Sequence, residues 1–164
     1  MEVRVIRRLV GVDLGIASAH TVRVLAEDGR EVCRRRCEPT VDSLSRVEAA
    51  ALTGTPAGTV LEVVMEPTGP AWLPVAVFFT ARGHLVFRVS SAKAADLRRF
   101  LSRHAKSNGI DADTLARLPL LDPAGCTGWS CPVRRRRRWT GERSADHLKA
   151  LCVVAGALAE RAWP

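Results

Sequence analysis

Three acidic places in this chain have surroundings suited to metal or phosphate chemistry. Asp13 closes the run Leu9-Val10-Gly11-Val12, and Leu14-Gly15 follows it. The β-formers before it read as a buried strand. Glu66 closes a second apolar run, residues 60–65, and leads into Pro67-Thr68-Gly69. The third place holds Asn108, Asp111 and Asp113. A carboxylate at the end of a buried strand is costly unless a divalent cation, or backbone amides directed at a phosphate, compensate its charge. Hard oxygen donors with no His or Cys beside them suit Mg²⁺ or Mn²⁺. Two such ions would stabilise the attacking and leaving oxygens of phosphodiester cleavage. Singly, each acid has a plainer explanation: Asp13 caps a turn, and Asp111 and Asp113 are first-turn acids favoured by a helix dipole.

The elements that must position these side chains follow from periodicity. Residues 9–13 form a first strand, residues 21–25 a second, and Asp28-Gly29 turns the chain into a third over 31–37. Thr40 caps a helix to about Leu52. Residues 60–65 are another buried strand, Pro70 opens a helix to Ala81, and residues 84–89 are a fifth strand. Ser90 or Ser91 caps a helix from 92 to 102, and a short helix over 110–118 ends at Pro119 and Pro123. Three meandering strands followed by βα units predict an α/β fold, a mixed sheet of about five strands with helices on its faces. Ligands in such sheets sit beyond the carboxyl ends of the strands. If the strands ending in Asp13 and Glu66 are neighbours, those carboxylates converge. Asn108 and Asp111, three apart at a helix start, share one face. Asp113 lies about 200° round the helix from Asp111.

With 25 Lys+Arg against 17 Asp+Glu, the 164-residue chain carries a formal charge of +8. That excess favours a polyanionic partner, most often nucleic acid. Arg98, Arg99, Arg103 and Lys106 lie next to the third acidic place and could hold phosphates; an ordinary solvated helix face is the plainer reading. Arg134, Arg135, Arg136, Arg137 and Arg138, with Trp129 and Trp139 near them, could clamp a backbone and stack on bases, or be a basic linker. The domains expected are residues 1–123, an irregular basic linker over 124–143, and an amphipathic helix over 144–164 capped by Ser144. No stretch is long and apolar enough for a transmembrane helix, no signal peptide opens the chain, and a cytoplasmic location is expected. Cys33, Cys37, Cys126, Cys131 and Cys152 are an odd number without tight metal-knuckle spacing, so zinc is not favoured. His20, His84 and His104 are too scattered to assign a joint role and read as core or surface residues.

The segments Val10-Gly11-Val12-Asp13-Leu14-Gly15, Met65-Glu66-Pro67-Thr68-Gly69 and Ala105-Lys106-Ser107-Asn108-Gly109-Ile110-Asp111-Ala112 occur in this order. Together they resemble the N-terminal domain of DEDD-type transposases of bacterial insertion sequences. The resemblance covers about residues 8–123. It implies a ribonuclease-H-like fold similar to Holliday-junction resolvases, Mg²⁺ or Mn²⁺ as cofactor, and DNA as partner, with a structured bridge RNA as guide in some members. By position, Asp13 is the first acid of the family pattern, Glu66 the second and Asp111 the fourth. The third position holds Asn108, an amide that offers an oxygen but no charge; Asp113 is the substitute if the helix starts differently.

The family pairs this acidic domain, through a coiled coil, with a C-terminal domain bearing a nucleophilic serine. Residues 147–163 are similar to the last helix of that second domain. The chain therefore looks like an internally deleted transposase, not expected to complete recombination alone, and expected in homo-oligomers or mixed oligomers with full-length transposase. Two other readings remain open at this point. Val12-Asp13-Leu14-Gly15 also resembles the first phosphate loop of actin-like and sugar-kinase ATPases, although no second phosphate loop or adenosine site is found. Asn108 also leaves room for a catalytically dead nucleic-acid-binding protein.

Overall fold

The computed structural model describes residues 6–67, 69–101 and 108–129. Their centre is a six-stranded mixed sheet made of β1 (Arg7–Asp13), β2 (His20–Leu25), β3 (Glu31–Cys37), β4 (Val60–Met65), β5 (Leu85–Arg88) and β6 (Thr127–Trp129). The order across the sheet is β3-β2-β1-β4-β5-β6. β1 runs parallel to β4, and β4 parallel to β5, whereas β2, β3 and β6 run antiparallel to their neighbours. Four helices accompany the sheet: α1 (Val41–Leu52), α2 (Trp72–Ala81), α3 (Ser91–Leu101) and α4 (Asn108–Leu121).

Side-chain alternation sorts the helices into two layers. Val10 and Val12 of β1, with Val22, Val24, Leu61, Val63 and Met65, face a core completed by Leu44, Val47 and Ala51 of α1 and by Phe78 and Phe79 of α2. The opposite face carries Leu9, Leu25 and Val64, covered by Ala116, Leu115 and Leu118 of α4 and Ala94 of α3. Phe78 and Phe79 are fully buried, each removing apolar surface worth about 1.5–3 kcal/mol from water. Helices on both faces of a mixed sheet are the expected α/β, ribonuclease-H-like arrangement.

Local chemistry accounts for the starts of the elements. The Thr40 hydroxyl accepts from the Ser43 N–H at 3.3 Å and caps α1. The Ser90 hydroxyl accepts from the Lys93 N–H at 3.3 Å and starts α3. His84 lies buried ahead of β5: its Nδ1 accepts from the Leu61 N–H at 3.3 Å, and its Nε2 stands 2.9 Å from Glu48 Oε1. Burial pushes the Glu48 carboxyl up, but the His84 hydrogen bond and the Arg82 guanidinium more than offset this and hold it below its usual range. His84 is thus a structural link between α1 and the sheet.

Three expectations need correction. Pro70 does not begin α2; that helix starts at Trp72 and carries Pro74 in its first turn, where a missing N–H costs nothing. Pro119 does not end α4, which runs on to Leu121 and continues its bonding through the Asp122 N–H to the Leu118 carbonyl at 2.8 Å. There the loss of one hydrogen bond is outweighed by the packing of Leu115 and Leu118 in the turn just before the missing donor. Finally, the stretch after residue 123 opens with a 3₁₀ turn, Pro123–Gly125, and then β6, which pairs with β5 through Val86↔Trp129, Phe87↔Gly128 and Arg88↔Thr127. The remainder of the basic linker and the C-terminal helix lie outside the described residues.

One contact sets the distance between sheet and α4. A Cβ built on Gly11, in the middle of β1, would lie 2.5 Å from the Ala116 nitrogen, and nearer still to the Ala112 carbonyl oxygen. The helix backbone rests on the strand backbone there, and Ala112 and Ala116 are fully buried. Gly11→Ala should therefore push α4 away and destabilise the fold by about 3 kcal/mol or more, the upper end of overpacking penalties. Equilibrium urea unfolding would measure this, and a variant as stable as the parent would show that α4 does not rest on β1.

Candidate acidic site at the carboxyl ends of β1 and β4

The register Val12↔Met65 makes Asp13 and Glu66, each the next residue along, near neighbours at the carboxyl edge of two adjacent parallel strands. Both follow the alternation that sends Leu9, Gly11 and Val64 toward α4. Asp111 stands in the first turn of α4, one residue before the Ala112 that sits on Gly11. The three carboxylates therefore approach one another from three elements. Their proximity registers in the acidity of Asp13. Burial raises its carboxyl above the usual carboxylate range, Asp111 and Glu66 raise it further, and Arg98 pulls the other way.

Arg98 is the counter-charge. Buried Ala94 packs α3 against the sheet, and the residue four further on shares its side of the helix. From there the Arg98 guanidinium bonds Asp111 through Nε and stands 3.9 Å from Glu66 with Nη2. Lys93 pairs with Asp122 and ties α3 to the end of α4.

The loop after Asp13 is closed by Gly15. A Cβ there would run into the Ser18 hydroxyl and carbonyl, and the Gly15 N–H donates to His20 Nδ1 at 3.1 Å. Burial pushes the His20 imidazole pKa down, in keeping with an unprotonated Nδ1 that accepts a hydrogen bond.

The other predicted residues fall elsewhere. Asp113 does not join Asp13, Glu66 and Asp111. It bonds Arg117 Nε at 2.8 Å and lies 3.8 Å from Arg23 Nε, over β2. Two residues along a helix rotate a side chain by about 200°, and that rotation carries Asp113 to the other flank of α4. Asn108 is the first residue of α4, with its side chain outside what the structure describes. Arg99 is exposed and pairs with Asp96 one turn back on α3. Arg103, Lys106, Arg134, Arg135, Arg136, Arg137 and Arg138 lie outside the described residues. Cys33 and Cys37 are free thiols on one strand, roughly 13 Å apart at about 3.3 Å per residue, too far to share a metal.

Sequence reasoning placed Arg98 near the acids as a phosphate holder but missed that it pairs with two of them; its place one turn after Ala94 was the available signal. It also missed Gly11, whose signal was a glycine inside an otherwise continuous buried strand.

Among the described residues, no group of three or more His, Cys, Asp or Glu side chains is arranged to hold a metal ion. The donor chemistry nevertheless fits a hard divalent cation. Asp111 and Glu66 both raise the proton affinity of Asp13, and the excess of negative charge this reports among three hard oxygen donors is what such an ion relieves.

A sheet whose first five strands are ordered β3-β2-β1-β4-β5, with β6 added at the β5 edge, flanked by helices and with carboxylates at the carboxyl ends of its two central strands, defines a ribonuclease-H-like domain. Within that class the assignment is specific. The DEDD transposase model of the IS110 type, described as a transposase, matches residues 10–126, more than half of the chain. The chain belongs to this transposase family. Among curated proteins, nothing matches. None of the described helices is long and apolar enough to cross a membrane.

The raised pKa of Asp13 fixes the sign of a pH effect. The folded protein keeps this proton to a higher pH than the unfolded chain does. The associated stability is therefore full at low pH and is lost as pH rises from about 4 through the folded value. Asp13→Asn removes the charge with almost no change of volume. Without divalent ions it should melt above the parent at pH 7, with a flatter stability profile over that window. A lower melting temperature at pH 7 would mean that the carboxylate is held by favourable contacts instead.

Proposed function

We propose that this transposase domain binds DNA and a Mg²⁺ or Mn²⁺ ion, with Asp13, Glu66 and Asp111 as the metal-holding acids and Asn108 as a neutral fourth donor. The observation that supports this most strongly is the approach of three carboxylates from β1, β4 and α4 to one sheet edge, at a cost in electrostatic repulsion that the fold does not need for its own packing. A bound divalent ion would supply charge stabilisation for the oxygens of a phosphodiester undergoing cleavage. Asp13, set between strand end and tight loop, provides the most constrained donor. Glu66 and Asp111 complete the set, and Arg98 offsets part of their charge.

The positive charge of the chain supports nucleic acid as the partner. Arg98 and Arg99 on α3, Arg103 and Lys106 after it, and Arg134, Arg135, Arg136, Arg137 and Arg138 beyond β6 are the cations proposed to meet phosphates. A structured guide RNA, which the family resemblance implies for some members, would use the same contacts. The ATPase reading of Val12-Asp13-Leu14-Gly15 gains no support: the Gly15 loop folds back on Ser18 and gives its N–H to His20, so that amide is not directed at a phosphate.

Mn²⁺ titration of the full chain, followed by the loss of the free-ion EPR signal, tests the proposal. Asp13→Asn should weaken binding by more than the roughly 10–100-fold typical of an outer-shell change. Asp113→Asn, on the far flank of α4, should leave it unchanged, and Asn108→Asp should strengthen it. Equal affinities for the parent and Asp13→Asn would refute the metal assignment.

A further inference from the structure

The acidic site occupies only one end of the sheet face beneath α4; the other end of that face is strongly basic. Registers across β1, β2 and β3 align two rows of residues. One row is Gly11, Arg23 and Arg34, and the next is Asp13, Thr21 and Arg36. Residues directly opposite in a ladder point to the same face, so Arg34 and Arg36 stand on the side of the sheet that carries Asp13. Arg35 between them, opposite Val22, points to the α1 side. All three arginines are exposed on an edge strand, and no ion pair to Arg34 or Arg36 is found among the described residues.

Positive charge is crowded here. Arg23 is buried and its guanidinium is pushed below its usual proton affinity first by that burial, then by Arg34, with Arg117 adding to the effect against Asp113. Glu31 and Asp113 partner Arg23, leaving Arg34 and Arg36 to solvent.

We infer that Arg34 and Arg36 form a phosphate-binding rail for the nucleic-acid strand whose reacting phosphodiester lies at Asp13. This inference rests on the nucleic-acid reading given above and names the surface that would hold the strand. Arg36 is in the same row as Asp13 and two strands away, roughly 10 Å at about 4.8 Å per strand spacing. A long arginine side chain at that separation reaches the next phosphates along a strand lying over the row. Guanidinium forks suit that contact, since they pair with phosphate oxygens two at a time. Solvation of an edge strand by charge, the alternative use of such residues, calls for charge on either face and gives no reason for Arg34 and Arg36 to act differently from Arg35.

Because the three residues have equal charge and adjoin one another, the face they point to is the only variable, and the experiment exploits it. Binding of a fluorescent random-sequence oligonucleotide, single-stranded and as duplex, is measured on the full chain by anisotropy across a salt series. Arg34→Gln and Arg36→Gln should each weaken binding and reduce the slope of log affinity against log salt by about 0.7–0.9, one phosphate contact apiece. Arg35→Gln should leave the slope within a small fraction of the parent's. Three equal losses, or none, with the parent still binding, would overturn the rail while leaving the nucleic-acid reading intact. A parent chain with no salt-sensitive binding would overturn both. All three positions are exposed, and unchanged melting temperatures confirm that folding is not what the variants report.

Discussion

The backbone contact between α4 and Gly11 is the constraint on which the rest of this domain depends. A side chain at residue 11 would hold the helix off the central strand, and none is tolerated there. With Gly11 below and Ala112 and Ala116 above, the helix settles onto β1 at backbone distance. Its first turn then comes down at the end of that strand, where Asp13 emerges. A helix standing one side-chain layer higher would carry Asp111 away from both Asp13 and Glu66. The chemistry at the sheet edge thus rests on a packing decision made two residues earlier in the strand, by an amino acid with no chemistry of its own.

What that packing assembles is electrostatically unfavourable. Asp13, Asp111 and Glu66 repel one another, and half-burial of Asp13 adds the loss of water. Arg98 softens the repulsion without removing it, because the Asp13 carboxyl remains raised with the guanidinium in place. A fold selected for stability alone would place a neutral side chain at one of these positions. Retained strain of this kind is expected where an external charge, a cation or a phosphate's counter-charged surroundings, completes the site. The cost is borne by the larger core on the other face, where Phe78, Phe79 and the aliphatic residues of β1, β2 and β4 pack away from the acids.

Much of this was legible in the sequence because its signals are local. Runs rich in β-formers marked β1 and β4, Asp28-Gly29 marked the β2–β3 turn, and Thr40 marked the start of α1; each depends on a few neighbouring residues and held in the structure. The convergence of Asp13 and Glu66 required a fact no local pattern carries, that β1 and β4 are sheet neighbours, and it entered the sequence reading as a condition. Misreadings came where tertiary packing overrode local chemistry. Pro119 normally stops a helix, but the turn before it is already buried against β4 and α3. Thr127-Gly128-Trp129 has no periodicity to announce a strand, and becomes one because β5 offers an unpaired edge.

The two aspartates of α4 show how finely position divides function in so short a span. Asp111 and Asp113 are separated by one alanine, and composition treats them alike. Helical rotation sends the first toward the carboxyl ends of β1 and β4 and the second toward β2, where Arg23 and Arg117 receive it. One joins Asp13 and Glu66 beside the single guanidinium of Arg98; the other lies between Arg117 and Arg23. Asp113 relieves Arg23, the one arginine of the β2–β3 face that is buried, while the exposed arginines of β3 beyond it gain nothing from that pairing. The helix therefore separates an acidic end of the sheet from a basic one, and the boundary between them is its own axis, seated on Gly11.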